Sequence, residues 1–314
     1  MKPFRKNVAI AIDGGGIKGV IATRALAILE EHLGQPVHSI FRLVAGTSTG
    51  SIISAGIAAG LSAKKMHQLY RDLGAIVFRK SWRTVVWPLS RYRYPNAPLI
   101  AALKEYLGDR RMGDFWTGTP PTDVVITTFD LATNHTRFIK PWKAEYKDWP
   151  VVQAVLASST VPTYFPVVEG RYVDGGVGSY ANPCYLAAYE LLFCLNWDPA
   201  ESTLISLGTG RDPYQFKPDQ AGRMWAWQWI GPILGAFLNS AADQQVHLVG
   251  TFFKNLDFRR FQVDLPEPVE MDDPSKIDEL TAFGEEMGKK ILNDQTDIAQ
   301  AIISSKAPAR AGIV

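Results

Sequence analysis

The chain has 314 residues, of which 46% are hydrophobic and 20% are charged, as is typical of a globular protein with a substantial core and compatible with one large α/β domain. The formal net charge of +2 gives no electrostatic indication of nucleic-acid binding. Its only two cysteines, Cys184 and Cys194, lie in one predicted helix, so no disulfide framework is expected and a reducing compartment fits.

The first part of the chain alternates strands with helices. We predict strands over Asn7–Ile12 and 41–45, each followed by a glycine turn and a helix. These helices span 19–33 and 49–59, and a third spans 63–73. Strand, glycine turn and helix, repeated along the chain, is the pattern of parallel α/β units.

The remainder continues this alternation without a repeat or a linker. Its strands are predicted at 123–129, 136–139, 171–174, 203–207 and 258–263. Its helices are predicted at 98–107, 151–159, 183–195 and 275–292. We therefore expect a single domain over residues 1–314, with a motif-bearing core at about 7–250 and a C-terminal helical part at about 251–314.

A candidate nucleophile lies at the turn between the second strand and its helix. Residues 46–50 read Gly-Thr-Ser-Thr-Gly, the pattern G-x-S-x-G, which exposes a serine hydroxyl at the tip of a sharp turn. Side chains two positions to either side of Ser48 would clash there, which explains the glycines. The pattern alone also fits a Gly/Ser-rich turn without chemistry, but the strand–turn–helix context favours Ser48 as the nucleophile.

Three consecutive glycines, Gly14, Gly15 and Gly16, follow the first strand. Their N–H groups can converge on an anion, and acyl transfer requires such donors where negative charge develops. With Gly19 they also satisfy the dinucleotide pattern G-x-G-x-x-G, but no acidic residue on a second strand follows at the required distance. We interpret the glycines as an oxyanion hole, and nucleotide binding is the weaker alternative.

The proton acceptor that a serine nucleophile needs is predicted to be an aspartate. None of the five histidines stands at a strand end beside a glycine turn, whereas Asp174 ends an apolar strand and precedes Gly175 and Gly176. An aspartate has a pKa of about 3.9 in water, so burial must raise its pKa for this role. An ordinary Asp-Gly turn is the alternative to a Ser48–Asp174 pair.

Taken together and in this order, these motifs resemble the patatin-like phospholipase family. The matching segments are DGGGIKG at 13–19, GTSTG at 46–50, DGG at 174–176, and the flanking ASSTVPTYFP at 157–166 and LISLGTG at 204–210. The resemblance covers about residues 7–250. It implies a three-layer α/β/α sandwich around a central, mainly parallel sheet.

The resemblance also implies roles for individual residues. Gly14, Gly15 and Gly16 would form the oxyanion hole, Ser48 would be the nucleophile, and Asp174 would be its partner. Substrate contacts are predicted for Lys18, Thr47 and Thr49, and Lys18 would hold either the lipid headgroup or the glycine loop. No zinc-type His/Cys cluster and no EF-hand loop occurs in the sequence, so neither a metal nor another cofactor is expected.

The activity implied by the resemblance is hydrolysis of phospholipid acyl esters, of phospholipase A type, through an acyl-serine intermediate. The substrate would be a phospholipid membrane surface, and nucleic acid is not expected as a partner. Some bacterial members of the family are effectors that await a small-molecule or protein activator, which this sequence does not identify. A non-catalytic lipid-binding or storage protein of the same fold is the main alternative.

Two aromatic segments bear on contact with a membrane. The segment 78–98 interleaves Trp82, Trp87 and Tyr92 with basic residues, and we predict a lid or a membrane-facing loop. The aromatic residues of 223–238 are interpreted as core. The apolar run near the N-terminus is too short for a secretory signal, so we expect a cytoplasmic protein in peripheral contact with the inner membrane face.

Overall fold

Seven strands form one mixed sheet in the computed structural model, which describes residues 1–79, 81–85, 90–213, 219, 222–225 and 229–297. The strands are β1 Asn7–Ile12, β2 Leu43–Gly46, β3 Asp123–Asp130, β4 His135–Ile139, β5 Tyr172–Asp174, β6 Ser202–Leu207 and β7 Asp257–Phe261. Their order is β4-β3-β2-β1-β6-β7, and β5 also pairs with β3. The pairs β3–β2, β2–β1, β1–β6 and β6–β7 are parallel. Strands β4 and β5 both run antiparallel to β3.

Helices cover both faces of the sheet. They are α1 Gly19–Leu33, α2 Val37–Ile40, α3 Thr49–Ala58, α4 Ala63–Val77, α5 Trp82–Val85, α6 Asn96–Leu107, α7 Met112–Thr117, α8 Val151–Ser159, α9 Cys184–Tyr189, α10 Ile230–Phe252 and α11 Ile277–Leu292. The larger core lies between the sheet and α1, α3, α4, α6, α8 and α11. A smaller core lies on the opposite face, beneath α9 and α10.

Alternation along the strands explains why both faces are covered. In β1, Ile10 and Ile12 belong to the larger core, whereas Ala9 and Ala11 belong to the smaller one. Successive side chains of a strand point to opposite faces, so a strand that is apolar on both faces needs helices on both. The arrangement is a three-layer α/β/α sandwich, which confirms the expected fold class.

Most predicted elements are present with shifted ends. The helix over 19–33 and the strand over Asn7–Ile12 have the predicted bounds. The short helices α2, α5 and α7 and the long helix α10 are not among the predicted helices. The predicted helix over 183–195 changes after Tyr189 into a π-helical segment at Glu190–Cys194. Helices of four to six residues contain too few turns to show a periodic apolar face.

The sequence predicts that the aromatic residues of 223–238 belong to the core. Trp225 and Trp229 are instead exposed at the surface, so that interpretation is wrong for both. Trp227 and the side chains of 230–237 lie outside the described residues. Within the part of the chain that the structure describes, no helix is both long and apolar enough to span a membrane.

Candidate active site

Ser48 occupies a strained turn between β2 and α3. Its φ of 55° and ψ of −123° lie in a region that L-residues rarely adopt. The turn is tight: a Cβ at position 46 would lie 2.2 Å from the Gly50 carbonyl oxygen, and a Cβ at position 50 would lie 2.1 Å from the Ile12 carbonyl oxygen. Glycine is therefore required at both positions, as the G-x-S-x-G pattern predicts.

Three other serines hold the backbone of Ser48 in this conformation. The Ser48 N–H donates to Ser158 Oγ at 2.9 Å. The hydroxyls of Ser51 and Ser159 donate to the Ser48 carbonyl oxygen at 2.6 and 3.1 Å. All of these groups are buried, so the hydrogen bonds are shielded from competing water. In the sequence, Ser158 and Ser159 belong to the segment 157–166 that resembles the family. No local pattern around them indicates that they contact Ser48.

The sheet topology brings Asp174 beside Ser48. Strand β2 ends at Gly46, which pairs with Ile126 of β3. Strand β5 pairs with the next part of β3, where Asp174 lies opposite Thr128. Because β4 occupies the other edge of β3 over this stretch, β5 lies on the edge that β2 vacates. The residue that ends β5 is consequently close to the turn that follows β2.

The Asp174 carboxyl is buried, and its surroundings shift its pKa upward. Burial raises the pKa to about 6, and this rise is opposed by the neighbouring Ser48 hydroxyl and by the hydrogen bond from the Gly176 N–H. The Gly176 N–H donates to Oδ1 at 2.7 Å. Oδ2 has no partner that satisfies strict hydrogen-bond geometry among the described residues, so the contact with Ser48 is close but not ideally aligned.

The glycine loop borders Ser48 directly. A Cβ at position 14 would lie 3.2 Å from the Ser48 Cβ. The Gly14 N–H itself donates to the Ala181 carbonyl oxygen at 2.8 Å. Gly16 begins a 3₁₀ turn with a φ of 60°, and a Cβ there would lie 2.4 Å from the Met271 carbonyl oxygen. Gly14 thus fixes the loop, and Gly15 and Gly16 remain the better candidates to receive an anion.

The three residues predicted to contact substrate differ in their surroundings. The Thr47 hydroxyl is buried between the Thr127 hydroxyl and the Tyr180 carbonyl. The Lys18 ammonium is also buried and donates to Asp212 Oδ2 at 2.7 Å, which joins the glycine loop to the segment after β6. Thr49 lines a cavity next to Ser48. Substrate contact by these residues stays a prediction.

The cavity beside Ser48 is almost entirely apolar. It runs from Gly16 and Ser48 between α3, α4, α6 and the segment after α8. Its remaining lining residues are Ile17, Thr49, Ile52, Tyr70, Leu73, Val77, Phe78, Leu99, Ser159, Val161, Tyr164, Phe165 and Met271. The Tyr70 hydroxyl donates to the Thr49 carbonyl oxygen at 2.8 Å, so this polar group in the wall is already hydrogen-bonded.

Histidine does not contribute to this arrangement. All five histidines are within the described residues, and none lines the cavity or hydrogen-bonds to Ser48 or Asp174. Among the described side chains, no group of three or more His, Cys, Asp or Glu residues is arranged to hold a metal ion. The titratable or nucleophilic side chains that the structure places together here are the Ser48 hydroxyl and the buried Asp174 carboxyl.

Comparison with known proteins decides the family. The family model described as "Patatin-like phospholipase" matches residues 10–188, which include the glycine loop, Ser48 and Asp174. The chain belongs to the patatin-like phospholipase family. This confirms the resemblance drawn from the motifs and, with it, the expected enzyme class of a lipid acyl hydrolase.

Relatives of this family align with different fractions of the chain. Patatin-like protein 2 of Oryza sativa subsp. indica is 28% identical over 88% of this chain and 82% of its own length. The cGAMP-activated phospholipase of Pseudomonas aeruginosa is 30% identical over 54% of this chain and 52% of its own length. The structure of VipD from Legionella pneumophila superimposes with a TM-score of 0.50 at 12% identity, covering 93% of this chain and 67% of VipD. At that identity the likeness to VipD concerns the fold alone.

Proposed function

We propose that this patatin-like chain cleaves acyl ester bonds of membrane phospholipids through a Ser48–Asp174 dyad and an acyl-serine intermediate. The observation that carries the proposal is the strained Ser48 turn beside a buried carboxyl with a raised pKa. Backbone strain and a raised carboxyl pKa both concentrate at functional sites. A fold without catalysis would gain nothing from either, which argues against a lipid-storage protein.

The acylation step follows from this geometry. Ser48 Oγ attacks the ester carbonyl carbon while its proton passes to the Asp174 carboxylate. The carbonyl oxygen becomes an oxyanion, which the N–H groups of Gly15 and Gly16 stabilise together with the N-terminus of α3. Collapse of this intermediate breaks the ester C–O bond, and the departing alkoxide takes the proton from Asp174. The products are an acyl-Ser48 ester and the deacylated alcohol.

Deacylation repeats these steps with water as the nucleophile. Asp174 accepts a proton from the water as its oxygen attacks the acyl carbon, and the second oxyanion occupies the same glycine loop. The proton then returns to Ser48 Oγ as the fatty acid leaves. Asp174 starts and ends the cycle ionised, so the proposal requires a carboxylate with a pKa high enough to accept a proton transiently.

The cavity supports a lipid as the substrate. An acyl chain is apolar, and burying its methylene groups contributes roughly 0.8 kcal/mol each. The cavity wall contains no charged side chain among the described residues, so the cavity suits the chain rather than the headgroup. The phospholipid headgroup would remain outside the mouth of the cavity, at the membrane surface.

Contact with the inner membrane face and control by an activator are further parts of the proposal. Trp82 is 65% exposed, and the Arg83 guanidinium lies 4.7 Å from the Trp82 ring centroid. Aromatic and basic side chains together suit the headgroup layer of an anionic leaflet. The name of the Pseudomonas relative refers to activation by cGAMP, and we propose that a small molecule or a protein activates this chain as well.

The test compares wild-type protein with Ser48→Ala on mixed phospholipid vesicles, with the released lipids identified by mass spectrometry. We expect wild type to release fatty acid and lysophospholipid, and Ser48→Ala to lower turnover by at least about 10³-fold because the covalent intermediate cannot form. A fluorophosphonate should label wild type at Ser48 only.

Ser54→Ala is the matched control. Ser54 lies on α3, the helix that follows the Ser48 turn. It is fully buried and its hydroxyl has no hydrogen-bond partner among the described residues, so the control should keep both turnover and labelling. Turnover that persists in Ser48→Ala would contradict the mechanism. Release of phosphate or headgroup instead of fatty acid would contradict the proposed bond.

A further inference from the structure

A buried arginine from the last strand contacts the residue that starts the glycine loop. Arg260 of β7 donates from both terminal nitrogens to the Asp13 carboxylate, to Oδ1 at 2.8 Å and to Oδ2 at 2.6 Å. It also donates to Ser206 Oγ at 2.8 Å. Arg260, Asp13 and Ser206 are all nearly inaccessible to solvent, with 5%, 6% and 0% exposed. Such a bidentate pair fixes direction as well as distance.

The position of Asp13 makes this pair more than a structural contact. Asp13 is one residue before Gly14 and two before Gly15, so its backbone leads directly into the predicted oxyanion hole. An unpaired carboxylate there would repel an oxyanion, and the repulsion is strong where water is excluded. The positive charge of Arg260 cancels that of Asp13 and, by holding both carboxylate oxygens, keeps the loop from rotating about the end of β1.

Stability alone is a weak reason for such a pair. Buried ion pairs can often be replaced by apolar residues without loss of stability, because desolvation offsets the attraction between the charges. The neighbouring Arg259 makes an equally buried pair with Asp257 and donates to the carbonyl oxygens of Lys2 and Pro3. That pair ties the N-terminus to β7 and has no contact with the glycine loop.

We propose that Arg260 is a positioning residue for the oxyanion hole, which aligns the glycine loop through Asp13 and neutralises the charge of Asp13. The inference rests on the proposed function, since it assigns Arg260 to the stabilisation of the same oxyanion. Arg260 lies beyond the part of the chain that the family model matches, residues 10–188. The site therefore depends on a strand outside the matched part.

The experiment measures kcat and KM on a soluble p-nitrophenyl ester for Arg260→Met, Arg260→Lys and the matched control Arg259→Met. We expect Arg260→Met to lower kcat by about 10- to 100-fold, somewhat less than removal of a whole oxyanion donor. KM should change by less than about twofold, because Arg260 does not line the cavity and acts only when the anion forms. Arg260→Lys keeps the charge but loses the bidentate geometry, so kcat should recover in part.

Arg259→Met distinguishes positioning from general stability. It removes a comparable buried ion pair on the adjacent residue, so the melting temperature should fall by a similar amount while kcat stays near that of wild type. Wild-type kcat in both Arg260 variants would overturn the inference, as would an equal loss of kcat in Arg259→Met. If Arg260→Met does not fold, a wild-type kcat in Arg260→Lys alone would overturn the inference.

Failure of the role proposed for Arg260 can be distinguished from failure of the proposed function. Turnover that survives Ser48→Ala would overturn the Ser48 mechanism whatever Arg260 does. Unchanged kcat in the Arg260 variants, in a protein that Ser48→Ala inactivates, would overturn only the role of Arg260.

Discussion

At the scale of single residues, the pKa of Asp174 governs both activity and stability. Burial raises it to about 6, and the proposed base works only when ionised. We expect kcat/KM on a soluble ester to fall about tenfold per pH unit below about pH 6, because the pH dependence of kcat/KM reports the free enzyme. Asp174→Asn should abolish turnover at every pH, whereas single replacements of the five histidines should retain most of it.

The same pKa predicts an opposite effect on stability. A carboxyl whose pKa is higher in the folded than in the unfolded state contributes stability below its unfolded pKa, near 3.8, and that contribution is lost as the pH rises through about 6. Asp174→Asn should therefore raise the melting temperature by roughly a few degrees at pH 7, and hardly at all at pH 4. A flat pH–rate profile, or a destabilised Asp174→Asn variant at pH 7, would contradict this account.

Single residues also mark where the sequence stops being informative. Ser48 and Asp174 could be proposed from the sequence because each sits beside glycines in a local motif. The turn itself requires the glycines at 46 and 50, whereas Gly175 is required by its close approach to Thr127 of β3. Arg260, Ser158 and Met271 could not, because their contacts with the site depend on which strand or loop lies beside it in space. The alternating pattern of 258–263 predicts a strand but not that it carries a buried arginine to Asp13.

At the scale of elements, the aromatic segment around α5 borders the cavity. The Arg93 and Tyr94 N–H groups donate to the carbonyl oxygens of Thr163 and Tyr164, at 3.0 and 2.8 Å, and Tyr164 lines the cavity. A short helix, α5, occupies part of a segment that was predicted to be a loop or lid. Trp82 is exposed as a membrane-facing role requires, and Trp87 lies outside the described residues.

We predict that Trp82→Ala lowers the hydrolysis of anionic vesicles by about tenfold while a soluble ester is hydrolysed at the wild-type rate, since only vesicles require interfacial docking. Trp116→Ala is the control: Trp116 is 42% exposed but belongs to α7, which precedes the start of β3. The Ser48 turn follows the other end of the parallel neighbouring strand β2. Vesicle co-sedimentation measures the docking directly. Equal losses on vesicles and on the soluble ester would show that Trp82 has a structural role. An equal loss of vesicle hydrolysis in Trp116→Ala would show that docking does not depend on the surface around Trp82.

At the scale of the whole molecule, the proposed reaction uses only side chains and backbone groups of this chain. We expect EDTA to leave hydrolysis of a soluble ester unchanged, because proton transfer and anion stabilisation are assigned to Asp174 and the glycine loop. A soluble substrate keeps effects of divalent ions on membranes out of the measurement. Loss of activity on chelation, restored by calcium, would contradict the prediction.

The fold class was predictable at this scale, because alternating strands and helices leave few arrangements other than a covered parallel sheet. The order of strands was not. Nothing local indicates that β1 lies between β2 and β6, and this central position is what brings residues from both ends of the chain to the glycine loop.

Apart from the Ala181 carbonyl oxygen, which accepts from the Gly14 N–H, the hydrogen-bond partners that hold the glycine loop come late in the chain. Asp13 donates through its N–H to the Leu207 carbonyl oxygen, the Thr209 hydroxyl donates to the Gly14 carbonyl oxygen, and Ile17 donates to Met271. Ser48 and Asp174, the proposed nucleophile and base, are synthesised before these partners. A growing chain thus carries Ser48 and Asp174 before the glycine loop is held in place, and the proposed catalysis requires the chain as far as Met271. This order of synthesis delays the proposed activity until most of the chain has been made.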